Sequence, residues 1–99
     1  MIMDFYAVAT VDLDGGVSSS ARNTFNEELK KEKFNKHKLT TLWTVRYTNG
    51  WTKASALKDA RDSIDKAARI AGIVKYEALV SLADEPPTEW RKPISLLGA

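Results

Sequence analysis

Residues 55–82 read SALKDARDSIDKAARIAGIVKYEALVSL, and they predict a helix followed directly by a strand. Over residues 57–71, apolar side chains recur at steps of three and four, the spacing of one helical face. Ser55 can cap the start of this helix, and Gly72 stands where the helix should end. Residues 73–82 then alternate with a period of two, which is typical of a strand. The stretch therefore supplies one helix and one strand of an α+β unit.

Upstream, the sequence predicts a strand, a helix and a second strand. The first strand covers residues 4–13 and is apolar on both faces in its first half, as in the interior of a sheet. The helix begins at one of the hydroxyl residues 18–20, or one turn later, and ends near Lys33, with Asn35 available for a left-handed cap. Residues 39–48, rich in β-branched and aromatic side chains, form the next strand.

Asn49-Gly50 is a strong hairpin signal, because both residues tolerate positive φ. A short third strand is therefore expected over residues 51–54, and the alternative is a turn that leads directly into the helix. With that strand the order is β-α-β-β-α-β, and right-handed crossovers place both helices on one face of an antiparallel four-stranded sheet. This order predicts a single α+β domain of ferredoxin-like type over residues 1–82, with the first and third strands central. Residues 83–99 form a C-terminal tail.

Composition limits the chemistry of the chain. Its 99 residues and 11.0 kDa suffice for one domain. The absence of cysteine excludes disulfides, thiolate catalysis and cysteine-type zinc sites, and the single histidine, His37, excludes a two-histidine metal site. No apolar run is long enough to span a membrane, and the first residues lack the basic region of a secretory signal. We therefore expect a cytoplasmic protein that does not contact a membrane.

Positive charge is concentrated in the middle of the chain. Residues 18–53 carry eight basic and three acidic side chains, a balance of +5, whereas the whole chain carries +2. Much of this charge lies in a basic run at the end of the first helix, consisting of Lys30, Lys31, Lys33, Lys36 and Lys38. These lysines can contact the phosphates of RNA, or they can complement the helix dipole and remain solvated.

Two carboxylates stand at the end of the first strand. Asp12 and Asp14 offer hard oxygen ligands that suit Mg²⁺, the one metal that these residues indicate. The alternative is that Asp14-Gly15-Gly16 is a polar turn. The Asp-x-Asp-Gly pattern resembles the first motif of haloacid-dehalogenase-type phosphotransferases. However, Gly16 stands where that family has Thr, and the chain is too short for the family's domain.

Aromatic and apolar residues indicate a contact between molecules. The aromatic residues of the middle of the chain can form a stacking platform for bases, part of the core, or a dimer interface. One sheet face has no helix to cover it, and the tail is partly apolar, so we expect a homodimer. The interface candidates are Trp43, Tyr47, Trp51, Trp90, Ile94, Leu96 and Leu97.

The chain resembles small ferredoxin-like prokaryotic proteins. It is similar to GhoS-type antitoxin endoribonucleases in its length, in the first-strand stretch Phe5–Val8, which contains a tyrosine, and in Phe34-Asn35 after the first helix. It is similar to the small nucleases of CRISPR adaptation in its length, in its element order and in Asp12 at a strand end. These resemblances imply a small dimer that binds or cleaves RNA.

No complete catalytic constellation accompanies these residues. The sequence therefore favours a small non-catalytic interaction or regulatory protein, such as an antitoxin or an inhibitor of a partner protein. The alternative is an RNA-binding protein or a metal-dependent endoribonuclease, which the basic run, Asp12 and Asp14 favour.

Overall fold

The computed structural model describes residues 4–37, 41–48 and 50–88. Its elements in chain order are β1 (Phe5–Leu13), α1 (Ser19–Lys31), β2 (Asn35–Lys36), β3 (Leu42–Tyr47), α2 (Lys53–Ile70) and β4 (Tyr76–Ala83). The strands form one antiparallel sheet in the order β2-β3-β1-β4. This order confirms the predicted ferredoxin-like βαββαβ fold, although the central strand β3 is the one predicted over residues 39–48 and not the one predicted over residues 51–54.

The third strand predicted over residues 51–54 does not form. α2 begins at Lys53, so the alternative of a turn that leads directly into the helix is correct. The Thr52 hydroxyl accepts a hydrogen bond from the Ser55 N–H at 3.0 Å, and the Ser55 hydroxyl accepts one from the Thr52 N–H at 3.0 Å. This reciprocal capping box satisfies N–H groups that begin a helix, and it makes Thr52 the N-cap instead of Ser55.

The hairpin of the sheet lies earlier in the chain than predicted. The expected strand over residues 39–48 is β3, which spans Leu42–Tyr47, and residues 38–40 lie outside the described part. Its hairpin partner is β2, a strand of two residues in which Lys36 lies opposite Trp43. β2 therefore forms one edge of the sheet, and this edge is very short.

A left-handed residue ends α1. The helix ends at Lys31, and the N–H of Phe34 then donates to the C=O of Leu29 at 3.1 Å. This pattern needs a left-handed residue just before Phe34, and Lys33 takes that position with φ 72°. The left-handed cap expected at Asn35 is therefore at Lys33, and Phe34 is free to pack into the core beside Leu29.

α2 ends in the same way. The N–H of Ile73 donates to the C=O of Ala68 at 2.8 Å, with Gly72 in the left-handed region at φ 74°. Ile73 is buried as part of this helix end, so the last strand begins at Tyr76 and not at residue 73.

The two helix ends predict opposite effects of substitution. A side chain in the left-handed region costs about 1 kcal/mol, a cost that glycine avoids. We expect Lys33→Gly to raise the free energy of unfolding by about 1 kcal/mol and Gly72→Ala to lower it by a similar amount. Urea denaturation measures both changes, and a Lys33→Gly protein that is less stable than the parent would contradict the left-handed assignment.

One hydrophobic core lies between the sheet and the two helices. β1 alternates along its length, so that every second side chain from Phe5 to Val11 is buried in this core. α1 contributes Phe25 and Leu29, and α2 contributes Ile64 with four alanines. The small alanine side chains let α2 lie close to the sheet, as its sequence predicts. Among residues 4–37, 41–48 and 50–88, no helix lies on the opposite face of the sheet, which we call the helix-free face.

The buried Tyr47 predicts a loss of stability at alkaline pH. Its hydroxyl donates to Asp59 Oδ2 at 2.9 Å. Burial, together with this hydrogen bond, raises the pKa of Tyr47 well above its usual value near 10. Because the folded-state pKa is the higher one, the stabilisation is complete below about pH 10 and is lost as the pH rises further. We expect the free energy of unfolding to fall above about pH 10, and we expect Tyr47→Phe to show a smaller fall. Urea denaturation from about pH 8 to pH 11 tests this, and an equal fall in both proteins would contradict it.

Candidate protein-interaction site

The two edges of the sheet are very different. β2 has two residues, one of them Lys36, whereas β4 has eight residues, Tyr76–Ala83. The β4 sequence YEALVSLA contains no lysine, proline or glycine, and Glu77 is its one charged residue. Edge strands are normally short, charged or interrupted, since an open edge pairs readily with another chain. Within the described part of the chain, β4 has none of these protections over Ala78–Ala83.

The pairing registers of β1 with β3 and with β4 determine which backbone N–H and C=O groups of β4 point to its open edge. The Val11 N–H donates to the Thr41 C=O at 3.1 Å, so the odd-numbered residues of β1 bond towards β3 and the even-numbered ones towards β4. Thr10 lies opposite Leu79, so the odd-numbered residues of β4 bond to β1. The N–H and C=O groups of the even-numbered residues therefore point to the open edge. These residues are Tyr76, Ala78, Val80 and Leu82.

A groove runs beside this edge on the helix side of the sheet. It lies between α2 and β4 and has a volume of about 560 Å³. Ile64, Ala78 and Val80 give it an apolar floor, and Leu57 lies at its rim with an exposed side chain. The outward backbone groups of β4 and this apolar floor are on one continuous surface, which we call the β4 edge groove.

Charged residues line the rim of the β4 edge groove. Asp65 Oδ1 accepts a hydrogen bond from the Tyr76 hydroxyl at 3.2 Å, and Asp65 Oδ2 accepts one from Arg69 Nε at 2.7 Å. The hydrogen bond from Arg69 holds the pKa of Asp65 below its usual value, so this carboxylate is ionised at neutral pH. Arg61 also lines the groove, and it makes no hydrogen bond or ion pair with another residue in the described part of the chain. The groove thus offers an apolar floor with one arginine whose donors are available.

The helix-free face of the sheet adds an exposed apolar residue next to the same edge. Leu79 of β4 is 72% exposed, and it lies opposite Thr10 of β1. Asp12 lies opposite Glu77 at one end of this face, and Arg46 forms an ion pair with Asp4 at the other end. The β4 edge therefore has apolar side chains on both of its faces.

The predicted magnesium ligands Asp12 and Asp14 line one shallow cavity with Glu77, but the three carboxylates do not form a group that could hold a metal ion. Asp14 acts as a turn residue, because its Oδ1 accepts a hydrogen bond from the Gly16 N–H at 3.4 Å and its C=O accepts one from the Val17 N–H at 2.9 Å. Asp12 faces the helix-free side opposite Glu77. Residues 4–37, 41–48 and 50–88 contain no group of three or more histidine, cysteine or acidic side chains that could hold a metal ion.

The lysines of the basic run are mostly engaged with the protein itself. Lys30 lies 3.5 Å from Glu27 and Lys31 lies 3.1 Å from Glu28, each one turn away on α1. Lys36 Nζ lies 5.2 Å from the centroid of the Trp43 ring, a cation–π geometry. Lys33 is the exposed left-handed residue that ends α1. Lys38 lies outside the described residues.

The aromatic interface candidates divide into two groups. Trp43 and Tyr47 point to the helix side of the sheet and are only 2% and 3% exposed, so their rings offer no surface to a partner or to a base. Trp51 is 42% exposed, and its ring meets that of Tyr47 edge-on with centroids 4.9 Å apart. The tail candidates lie outside the described residues; they are Trp90, Ile94, Leu96 and Leu97.

The predicted fold has its last strand at an edge of the sheet, but no motif in the sequence marks this strand as a binding site. The signal was nonetheless present in the composition of the strand. β4 is an eight-residue strand at the edge of a small sheet, and it contains no lysine, proline or glycine. Edge strands of this composition pair readily with another chain.

Comparison with known proteins adds no relative of this chain. Protein-family models, curated proteins and solved structures all give no match to it. Within the described ranges, neither helix has the long apolar stretch that crossing a lipid bilayer requires.

Proposed function

We propose that the protein is a small non-catalytic interaction protein that binds an extended segment of a partner protein along the β4 edge groove. The observation that carries this proposal is the unprotected edge of β4. An added strand would bond to the outward N–H and C=O groups of Ala78, Val80 and Leu82, and alternate side chains would reach the groove. An antitoxin or an inhibitor can act in this way by occupying a segment that its target needs.

The groove also indicates the chemistry of the partner segment. Side chains that point into the groove meet Ile64, Ala78 and Val80, so we expect them to be apolar. Arg61 at the rim makes no ion pair within the described residues, and it favours a carboxylate at one position of the segment. The segment is therefore extended and apolar at alternate positions, with one acidic residue.

Affinity capture from the source cells tests the proposal with two variants of one residue. Val80→Pro removes an outward N–H that β1 does not use, whereas Val80→Thr keeps the N–H and the branched side chain. We expect the parent and Val80→Thr to retain one stoichiometric protein, and Val80→Pro to bind it at least about ten-fold more weakly. The expected loss combines an unmade hydrogen bond with the steric effect of the proline ring. Equal retention by all three proteins would contradict the proposal.

Retention of RNA in place of a protein would favour the alternative function. Binding to single-stranded RNA should then weaken with salt, with a slope of about −0.7 in log K per phosphate contact. Changing Lys33 and Lys36 together to glutamine should reduce that slope by about one to two units. An unchanged slope would show that these two lysines do not contact phosphates.

A further inference from the structure

We infer that, in the free protein, the open edge of β4 is paired with β4 of a second copy of the chain. The two strands run antiparallel and join two four-stranded sheets into one of eight strands. This inference goes beyond the proposed function, and the two are linked because a partner segment would bind by displacing the second copy from the same edge. Dimer formation would thus control access to the β4 edge groove.

Symmetry limits how two copies of β4 can pair. A two-fold axis perpendicular to the sheet relates the strands, so each residue lies opposite one whose side chain points to the same face. The pairing that centres on Val80 meets this condition. Val80 points its N–H and C=O outward, so it exchanges two hydrogen bonds with Val80 of the second copy. Ala78 does the same with Leu82 of the second copy.

Charges on either side of β4 select this register. Lys75 precedes the strand and Glu85 follows it, and both are exposed. Pairing centred on Val80 brings Lys75, one residue before the strand, to the same end of the pair as Glu85 of the second copy, which lies in the bend after Ala83, and symmetry repeats this contact of opposite charges. A shift that centres the pairing on Ser81 would bring Glu85 towards Glu77 of the second copy, which is repulsive. The register centred on Leu79 would leave both Lys75 and Glu85 opposite apolar residues.

The same register covers the apolar side chains that β4 leaves exposed. On the helix-free face, Leu79 would lie diagonally across from Leu79 of the second copy, within reach of a long side chain. On the helix side, Val80 would meet its own counterpart beside the apolar floor of the groove. The antiparallel pairing centred on Val80 thus satisfies the main-chain hydrogen bonds, the apolar contacts and the two contacts of opposite charges together.

Charge reversal tests the dimer on the full chain. Sedimentation equilibrium should show a dimer for the parent protein. Lys75→Glu and Glu85→Lys should each weaken the dimer by about ten-fold or more, since each replaces two attractive contacts with two repulsive ones. The double variant Lys75→Glu/Glu85→Lys should restore association to within about three-fold of the parent. Lys31→Glu, which makes the same change of charge on α1, should have no effect.

The outcomes separate this inference from the proposed function. A parent protein that stays monomeric, single variants that associate as well as the parent, or a double variant that fails to recover would each overturn the dimer. If Val80-dependent capture of a protein partner persists in that case, the proposed function stands alone. If the charge swap restores the dimer but no capture depends on Val80, the inference holds and the proposed function fails. In the case where both hold, Lys75→Glu should capture more partner than the parent, because its edge is more often open.

Discussion

Two proline substitutions at adjacent positions of β4 should lower the free energy of unfolding by very different amounts. Ser81→Pro should lower the free energy of unfolding by about 3 kcal/mol, because it removes an N–H of the ladder to β1 and leaves the Val8 C=O without its partner. Val80→Pro should leave the fold intact, with a loss of about 1 kcal/mol or less, because its N–H points away from β1. Urea denaturation of both variants measures the difference.

Hydrogen exchange provides an independent check on this alternation. In a monomeric form such as Lys75→Glu, the amides of Leu79 and Ser81 should be protected and those of Ala78 and Val80 should exchange rapidly. Val80→Thr and Ser81→Thr are the matched controls, since both keep every N–H and both should fold. Equal destabilisation by the two prolines would show that the backbone of β4 is oriented differently.

Trp43→Ala should be the most damaging substitution in the core. The Trp43 side chain is among the largest fully buried ones, and its removal should lower the free energy of unfolding by about 3–5 kcal/mol. The total free energy of unfolding of a domain of this size is about 5–15 kcal/mol, so the melting temperature of Trp43→Ala should be lower by tens of degrees. Thermal denaturation followed by circular dichroism measures the fall.

The control for Trp43→Ala is the exposed Trp51. Trp51→Ala removes only the edge-on ring contact with Tyr47, so we expect the free energy of unfolding to fall by about 1 kcal/mol. If Trp43 lay at a dimer interface, Trp43→Ala would instead weaken association and leave the monomer stable. Sedimentation equilibrium on the surviving folded fraction distinguishes these two results.

Sequence alone predicted the elements whose signals are local. The helical stripe of α2, its end at Gly72 and the alternation of β1 depend on residues close together in the chain, and the structure confirms all three. The third strand failed because two local signals overlap at the same place. The hairpin pair Asn49-Gly50 and the capping pair Thr52 and Ser55 compete, and the helix cap prevails.

The candidate interaction surface depends on contacts between residues that are distant in sequence. The period of two places Trp43 and Tyr47 on the same face of β3, but only the packing of the helices decides that this face is the buried one. The outward direction of the Val80 amide likewise depends on the register between β1 and β4, which are far apart in the chain. Neither property has a signal in a short stretch of sequence.

The two-residue strand β2 determines how far assembly can go. β2 is too short to offer a useful edge, and it carries Lys36, so the described residues give each molecule one place where a sheet can grow. In the terms of polymer chemistry the molecule is monofunctional, because one strand paired at the β4 edge occupies the site at which a further molecule would add. Raising the concentration of such a molecule fills a closed complex and does not extend a fibre, even though β4 has the composition of an aggregating strand. The short strand thus acts as a chain terminator, and it lets the protein keep an unprotected edge at the other side of the sheet.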